Sequence, residues 1–139
     1  MKVVIDTNVL VAALKSRRGA SYKLISLLPT GMFSIAVSVP LIIEYEDVLR
    51  RGKLSAKISE KDISDFIDFI CSVGYRQDIF FLWRPFLPDP SDDLVLEVAV
   101  AAGCDAIITY NKRHFANIAK FGQRVLDPKD FLAEIGVIS

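Results

Sequence analysis

Four oxygen-bearing side chains stand where the chain could do chemistry. They are Asp6, Glu44, Asp93 and Asn111. Carboxylate and amide oxygens are the ligands that hard divalent cations such as Mg²⁺ or Mn²⁺ prefer. If the three acids converge in the fold, a bound dication relieves their mutual repulsion. We therefore expect Asp6, Glu44 and Asp93 to bind a metal ion.

Asp6 directly follows a short run of β-branched residues, Val3 to Ile5, and precedes a helical segment. Such a run is typical of a strand buried on both faces of a parallel sheet. The pattern therefore places Asp6 at the carboxyl end of a strand, the edge where open α/β sheets bind ligands. The alternative is that Asp6, Thr7 or Asn8 only caps the helix.

Glu44 lies in a predicted helix that begins at Ser38-Val39-Pro40 and continues to about Arg51. At about 100° per residue, the helix has an apolar stripe with Glu44 at its edge. The stripe consists of Leu41, Tyr45, Val48 and Leu49. An inward carboxylate is costly unless it is paired or binds a cation. Glu44 is therefore the acid of this helix that we expect at a site.

Asp93 belongs to an acidic segment that opens a largely apolar helix after the loop Pro85–Pro90. Ser91 or Asp92 can serve as the N-cap of this helix. Asp93 and Glu97 are four residues apart and share one side, where like charges are mildly destabilising unless a positive group lies near them.

The alternation of strand and helix patterns predicts an α/β sandwich with a mainly parallel sheet. The predicted strands are Val3–Ile5, Phe33–Ser38, Asp78–Trp83, Ala106–Thr109 and Arg124–Leu126. The predicted helices after the first are Ala20–Leu28, Ser38–Arg51, Ser59–Val73, the helix that Asp93 opens and that is apolar from Leu94 to Ala102, Phe115–Ala119 and Pro128–Ile135. No repeat or linker interrupts residues 1–139, so we expect a single domain.

The composition narrows the class of protein. Lysine plus arginine balance aspartate plus glutamate at 17 each, so net charge favours neither nucleic acid nor membrane as a partner. No apolar run approaches the ~20 residues of a membrane span, and Asp6 and Asn8 interrupt what could be mistaken for a signal peptide. We expect a soluble cytoplasmic protein. A zinc site is disfavoured because His114 is the only histidine and no cysteine stands near it, which leaves it as a surface residue or an auxiliary contact.

Four segments together resemble the successive motifs of the PIN domain family. They are Val4-Ile5-Asp6-Thr7-Asn8-Val9-Leu10, Ser38 to Arg51 with Glu44, Asp89-Pro90-Ser91-Asp92-Asp93 and Ile107-Ile108-Thr109-Tyr110-Asn111. The resemblance covers almost the whole chain in order. The branch it is most similar to contains the VapC toxins of toxin–antitoxin pairs.

This resemblance implies a three-layer α/β/α sandwich and a metal-dependent endoribonuclease. It also implies frequent homodimers and inhibition by a cognate antitoxin. By position, Asp6, Glu44 and Asp93 match the metal-binding acids of the family, with Mg²⁺ or Mn²⁺ as the expected cofactor. Thr7, Asn8 and Thr109 match the supporting polar residues. Asp89 and Asp92 match the acid-rich loop, in which they can be purely structural.

The resemblance suggests that RNA phosphodiesters are hydrolysed by a metal-activated water. Asn111 would position that water or the phosphate, and Lys112, Arg113 and Arg17 or Arg18 would hold the RNA backbone. Asn111 departs from the family, because an aspartate is usual at this position. A neutral ligand weakens a second metal site, so one metal ion is the safer expectation.

Three other functions compete with this interpretation. A haloacid dehalogenase-like phosphatase would use Asp6 as a nucleophile, but it needs a second aspartate where Asn8 stands. A PIN-like domain without activity could bind RNA or a protein, as Asn111 would permit. A structure-specific DNA nuclease needs arch or clamp elements for which 139 residues leave little room.

Overall fold

The described part of the chain forms five strands and six α-helices. The computed structural model describes residues 1–52, 54, 57–79, 87–116, 118 and 122–138. The strands are β1 (Lys2–Ile5), β2 (Ser34–Val37), β3 (Tyr75–Arg76), β4 (Ala106–Ile108) and β5 (Arg124–Leu126). The helices are α1 (Thr7–Lys15), α2 (Ala20–Ser26), α3 (Val39–Arg51), α4 (Glu60–Val73), α5 (Pro90–Ala101) and α6 (Pro128–Glu134).

The five strands form one parallel sheet in the order β3-β2-β1-β4-β5. β1 is central, with Val3 opposite Ile35 of β2 and Ile5 opposite Ile108 of β4. Helices flank the sheet, and the predicted α/β/α sandwich is confirmed. Because all strands run the same way, their carboxyl ends meet at one edge. Asp6 and Thr109, which follow β1 and β4, therefore become neighbours across the sheet.

Helix α5 covers the middle of the sheet, where it contacts β1, β2 and β4. Its apolar side chains are buried in the core, which explains why its sequence lacks the polar stripe of a surface helix. These residues are Val95, Leu96, Val98 and Ala99. Among the described residues, no helix is long and apolar enough to cross a lipid bilayer.

Two helices begin where the sequence places a cap. The Ser38 hydroxyl accepts a hydrogen bond from the amide of Leu41 at the start of α3. Ser59 and Asp62 form a reciprocal capping box at the start of α4. Such caps satisfy amide groups that the helix itself leaves unpaired.

The structure differs from the sequence prediction in the third strand and in some helix ends. β3 lies at Tyr75–Arg76, and Asp78 and Ile79 belong to no strand; residues 80–83 of the predicted strand lie outside the described residues. α2 ends at Ser26, before a 3-10 helix over Leu28–Thr30.

The segment around the sole histidine and the start of α5 also differ from the prediction. A 3-10 helix covers Lys112–Phe115, earlier than the predicted Phe115–Ala119, of which residues 117 and 119 lie outside the described residues. The N-cap of α5 is Asp89, neither Ser91 nor Asp92, because the Asp89 side chain accepts from the Ser91 amide.

Candidate metal centre

Asp6 lies at the carboxyl end of the central strand with both carboxylate oxygens engaged. Oδ1 accepts a hydrogen bond from the Thr7 amide at 2.8 Å, which makes Asp6 the N-cap of α1. Oδ2 accepts one from the Thr109 hydroxyl at 2.7 Å. The Asp6 amide itself donates to the carbonyl of Ile108 at 2.9 Å. The side chain thus caps a helix and, at the same time, points to the end of β4.

Burial raises the pKa of Asp6 from its ordinary value, and the hydrogen bonds from Thr109 and Thr7 act in the opposite direction. A carboxylate with little exposed surface loses hydration, which disfavours its charged form. Thr7 is similarly buried beside it. Any nearby positive charge therefore stabilises the ionised form of Asp6.

Thr109 is the hydrogen-bonding hub of this edge. Its side chain is fully buried. Besides donating to Asp6, its hydroxyl accepts from the Asn111 amide at 2.9 Å and from Nδ2 of Asn8 at 3.4 Å. Oδ1 of Asn8 accepts in turn from the Tyr110 amide at 3.3 Å. These bonds tie the end of β1 to the end of β4 and so fix where Asp6 points.

Tyr45 is a positioning residue that sequence reasoning placed only in the apolar stripe of α3. Its buried hydroxyl donates to the carbonyl of Ile5, the residue before Asp6. Burial, together with the charge of Asp6, raises the Tyr45 pKa well above its ordinary value. Tyr45 therefore stays protonated and keeps donating to β1.

The other two predicted acids occupy different environments. Glu44 is half-buried on α3. The pKa of Arg51 is raised mainly by its hydrogen bond to Asp47 and by the charge of Asp47, and the charge of Glu44 makes a smaller contribution in the same direction. Asp93 has no exposed surface, and its Oδ1 accepts from the Leu87 amide at 2.9 Å. Among the described residues, Asp6, Glu44 and Asp93 do not form a trio with ligand atoms within 4.8 Å of one another.

A different trio reaches that spacing. Ligand atoms of Asp89, Asp92 and His114 all lie within 4.8 Å of one another, in the only such group that the described residues form. Nδ1 of His114 is 2.9 Å from Oδ2 of Asp92. Asp92 is 5% exposed, whereas Asp89 and His114 face solvent. The 3-10 helix after β4 thus brings the sole histidine to the first turn of α5.

Electrostatics join this trio to Asp6. Burial, then the charges of Asp6 and Asp89, raises the pKa of Asp92 to about 6, while His114 acts to lower it. The pKa of Asp6, raised mainly by burial, also responds to the charges of His114 and Asp89. Asp6 is not part of the group within 4.8 Å, and these charge effects are what connect it to the trio. We call Asp6, Asp89, Asp92 and His114 together the acidic centre. Crowded carboxylates of this kind favour a bound cation.

Of the remaining predicted site residues, three follow Thr109 in the chain and one lies in a separate groove. Asn111 is exposed and starts the 3-10 helix, and Arg113 is exposed within that helix. Lys112 is exposed and forms an ion pair with Asp130 at 3.4 Å. Arg17 lies on a separate groove between α2 and α6. Being exposed, all four side chains are accessible to a polyanion.

Sequence reasoning assigned no metal role to Asp89, Asp92 or His114. Asp89 and Asp92 were noted as matches to an acid-rich loop, and His114 as surface or auxiliary. The signal that could have found them is the density of acids in Asp89–Asp93. Their convergence with a histidine more than twenty positions away follows only from the fold.

Comparison with known proteins gives one family and one fold. A family model described as PIN domain matches residues 2–113. No curated protein matches the chain significantly. Among solved structures, the chain is similar to VapBC2 from Rickettsia felis bound to a DNA fragment from their promoter, with a TM-score of 0.64 and 18% identity. The match covers 91% of this chain and 100% of the other, and at this identity it shows a shared fold.

Proposed function

This chain belongs to the PIN domain family, and we propose that it is a metal-dependent endoribonuclease, the toxin component of a toxin–antitoxin pair. PIN domains are generally nucleases. The single observation that carries the proposal is Asp6, a buried carboxylate at the carboxyl end of the central strand, in electrostatic contact with Asp92 and Asp89.

The acidic centre fits a divalent cation by the chemistry of its donors. Asp6 and Asp92 are buried carboxylates whose pKa values are raised first by burial and further by the charge of Asp89, and the charge of Asp6 adds to the rise at Asp92. Such a site gains when a cation compensates the charge. We propose Asp6 and Asp92 as principal ligands, with Asp89 and His114 beside them. Carboxylates suit Mg²⁺ and Mn²⁺ alike, and an imidazole ligand favours Mn²⁺ over Mg²⁺.

Glu44 and Asp93 take different places in this proposal. Glu44 is half-buried on α3 and remains a candidate ligand. Oδ1 of Asp93 accepts a hydrogen bond from the Leu87 amide, so we propose that Asp93 fixes the position of Leu87 before α5. In this proposal Asp92 replaces Asp93 among the metal-binding acids expected from the sequence.

The protein side chains then have separate tasks in phosphodiester hydrolysis. A bound divalent cation would supply Lewis-acid stabilisation of the phosphate and a lowered pKa for water. Thr109 and Thr7 hold the Asp6 carboxylate in one orientation. Asn111, exposed beside Thr109, would donate a hydrogen bond to a phosphate oxygen. Lys112 and Arg113 would bind the backbone phosphates on either side.

We further propose a protein antitoxin as partner and a homodimer as the assembly. What supports them is family membership together with the fold shared with the VapBC2 structure. A PIN domain that only binds RNA is the second candidate, since Asn111 supplies a neutral amide where an acid is usual.

The test is cleavage of a fluorescent mixture of single-stranded and structured RNAs with Mg²⁺, with Mn²⁺ and with EDTA. We expect metal-dependent cutting by the wild type. Asp6→Asn should lower the rate by at least about a hundredfold, since it removes the negative charge that we propose to bind the cation. It should retain the native circular dichroism spectrum.

Asp65→Asn is the matched control, because Asp65 is an exposed acid on α4 that pairs with Lys61. It should cut at the wild-type rate. Cutting by Asp6→Asn at the wild-type rate would show that the proposed site is wrong. RNA binding without metal-dependent cutting would favour the binding module.

A further inference from the structure

Tyr110 presents an aromatic ring to solvent next to the acidic centre. It follows Thr109, whose hydroxyl holds Asp6, and its own amide donates to the Asn8 side chain. The residue is 48% exposed. The fold thus places an open ring within one residue of the proposed reaction site.

The ring is held in one orientation from its far end. The Tyr110 hydroxyl lies 2.5 Å from Oγ of Ser21 in α2, a serine that is almost completely buried. A tyrosine fixed at its backbone and at its hydroxyl has little freedom about either side-chain torsion. Since the entropy of ordering is already lost, a partner that stacks on the ring gains most of the contact energy.

The same helix connects the ring to a basic groove. Ala20 and Tyr22, on either side of Ser21, line an open groove of about 560 Å³ between α2 and α6. Four exposed cationic residues line the groove, and its described lining carries no carboxylate. They are Arg17, Arg18, Lys23 and Lys129. In a chain of zero net charge, this is a local concentration of positive charge along the helix whose Ser21 holds the Tyr110 ring.

We propose that Tyr110 is a base-stacking residue for single-stranded RNA, and that the adjoining groove holds the backbone of the same strand. A positive groove that follows the phosphates and an aromatic platform for the bases is the combination that single-strand binders use. The assignment rests on the proposed ribonuclease function. It adds that a nucleotide next to the cut phosphate lies unpaired on Tyr110, so double-stranded RNA would bind poorly there.

The test separates base contacts from phosphate contacts without any metal. Fluorescence anisotropy in EDTA and low salt compares two fluorescein-labelled 12-mers: a single-stranded RNA of mixed sequence and an abasic oligomer with the same sugar–phosphate backbone. Tyr110→Leu should weaken binding of the RNA about tenfold, in line with the loss of one stacked base, and leave binding of the abasic oligomer within about twofold.

Three further variants locate the effect. Tyr110→Phe keeps the ring and should stay within about threefold of the wild type on both probes. The double variant Arg17→Ser, Lys23→Ser should weaken both probes equally, because it removes phosphate contacts. Tyr75→Leu is the control: Tyr75 is 53% exposed but lies on β3, against Lys2 at the opposite end of the sheet. It should change neither probe.

Several results would overturn the assignment. Tyr110→Leu could affect both probes equally or neither, Tyr110→Phe could behave like Tyr110→Leu, or the wild type could bind neither probe. If the groove binds a protein partner and not RNA, the wild type binds neither probe. Failure here is distinguishable from failure of the nuclease proposal, since the metal-dependent cleavage assay is a separate measurement.

Discussion

The Asp6 side chain, on which the site depends, is held by a residue 103 positions later in the sequence. Burying a carboxylate costs hydration, and donors that face it recover part of that cost. Thr109 supplies one such donor and also accepts from the Asn111 amide. One hydroxyl therefore links the proposed ligand Asp6 to the backbone that presents Asn111.

Thr109→Val tests this link, because valine has nearly the same shape and no hydroxyl. It leaves the buried Asp6 oxygen and the Asn111 amide without this partner, which should lower the free energy of unfolding by about 1–3 kcal/mol. The RNA cleavage rate should also fall, since Asp6 loses a hydrogen bond that lowers its pKa. Urea denaturation and the cleavage assay measure the two effects.

The conservative variant Thr109→Ser is the control for Thr109→Val. It keeps the hydroxyl and should restore most of both properties. Equal stability and activity of the valine and serine variants would mean that the hydroxyl has no such role.

At this scale the sequence predicted some site residues and not others. Asp6 and Thr109 were predicted at the carboxyl ends of strands because each follows a clear apolar run. Asp92 and Asp93 are neighbours, and adjacent helical residues differ by about 100° in direction. Which of the two faces the sheet edge depends on how α5 packs, and no local pattern determines that.

Among the elements, α4 shows how a local signal can fix a boundary. Its Ser59–Asp62 capping box satisfies amides at both residues, and its buried face carries Ile63, Ile67 and Ile70. The helix begins at Glu60, within one residue of the predicted start at Ser59. It lies on α3, away from the described acidic centre, so its cap should affect stability alone.

Ser59→Ala removes one half of the capping box. We expect the free energy of unfolding to fall by about 1 kcal/mol, with RNA cleavage unchanged. Ser72→Ala, in the last turn of the same helix, is the matched control, because the Ser72 hydroxyl only donates to the exposed helix end at Phe69. It should be nearly neutral. A Ser59→Ala variant as stable as Ser72→Ala would contradict the predicted role of the cap.

β3 differs from α4, because no local sequence pattern predicts this strand. Its two residues, Tyr75 and Arg76, are both exposed, so they carry no alternation of apolar and polar side chains. The neighbouring run from Asp78 to Trp83 matched a buried strand better and was predicted in its place. β3 exists because β2 offers it a partner, with Ala36 opposite Tyr75. Pairing of this kind is a tertiary effect.

For the molecule as a whole, Asp92 contributes a pH dependence of stability when no metal is bound. The pKa of Asp92 is about 6 in the fold, raised chiefly by burial, against 3.8 for an ordinary aspartate. Between these values the native state binds a proton that the unfolded chain does not. The free energy of unfolding therefore increases as the pH falls from about 6 towards 4. Above pH 6, ionised Asp92 destabilises the native state to its full extent.

Asp92→Asn removes that cost. In EDTA at pH 7.5 the variant should be more stable than the wild type by about 1–3 kcal/mol, and the difference should shrink as the pH approaches 4. Urea denaturation across this pH range measures it, with the exposed Asp65→Asn as a control that shows no such convergence. A difference that stays constant with pH would contradict the role given to Asp92. The same variant should lose RNA cleavage, a trade of activity for stability.

The pairing of β1 with β4 also has a consequence during synthesis. Asp6 leaves the ribosome 103 residues before Thr109, whose hydroxyl orients it. A nascent chain that has emerged only as far as α5 carries several of the acids but lacks β4, His114 and one neighbour of the central strand. Translation itself therefore postpones the assembly of the centre, so that any enzymatic activity begins only after β4 and His114 have been made.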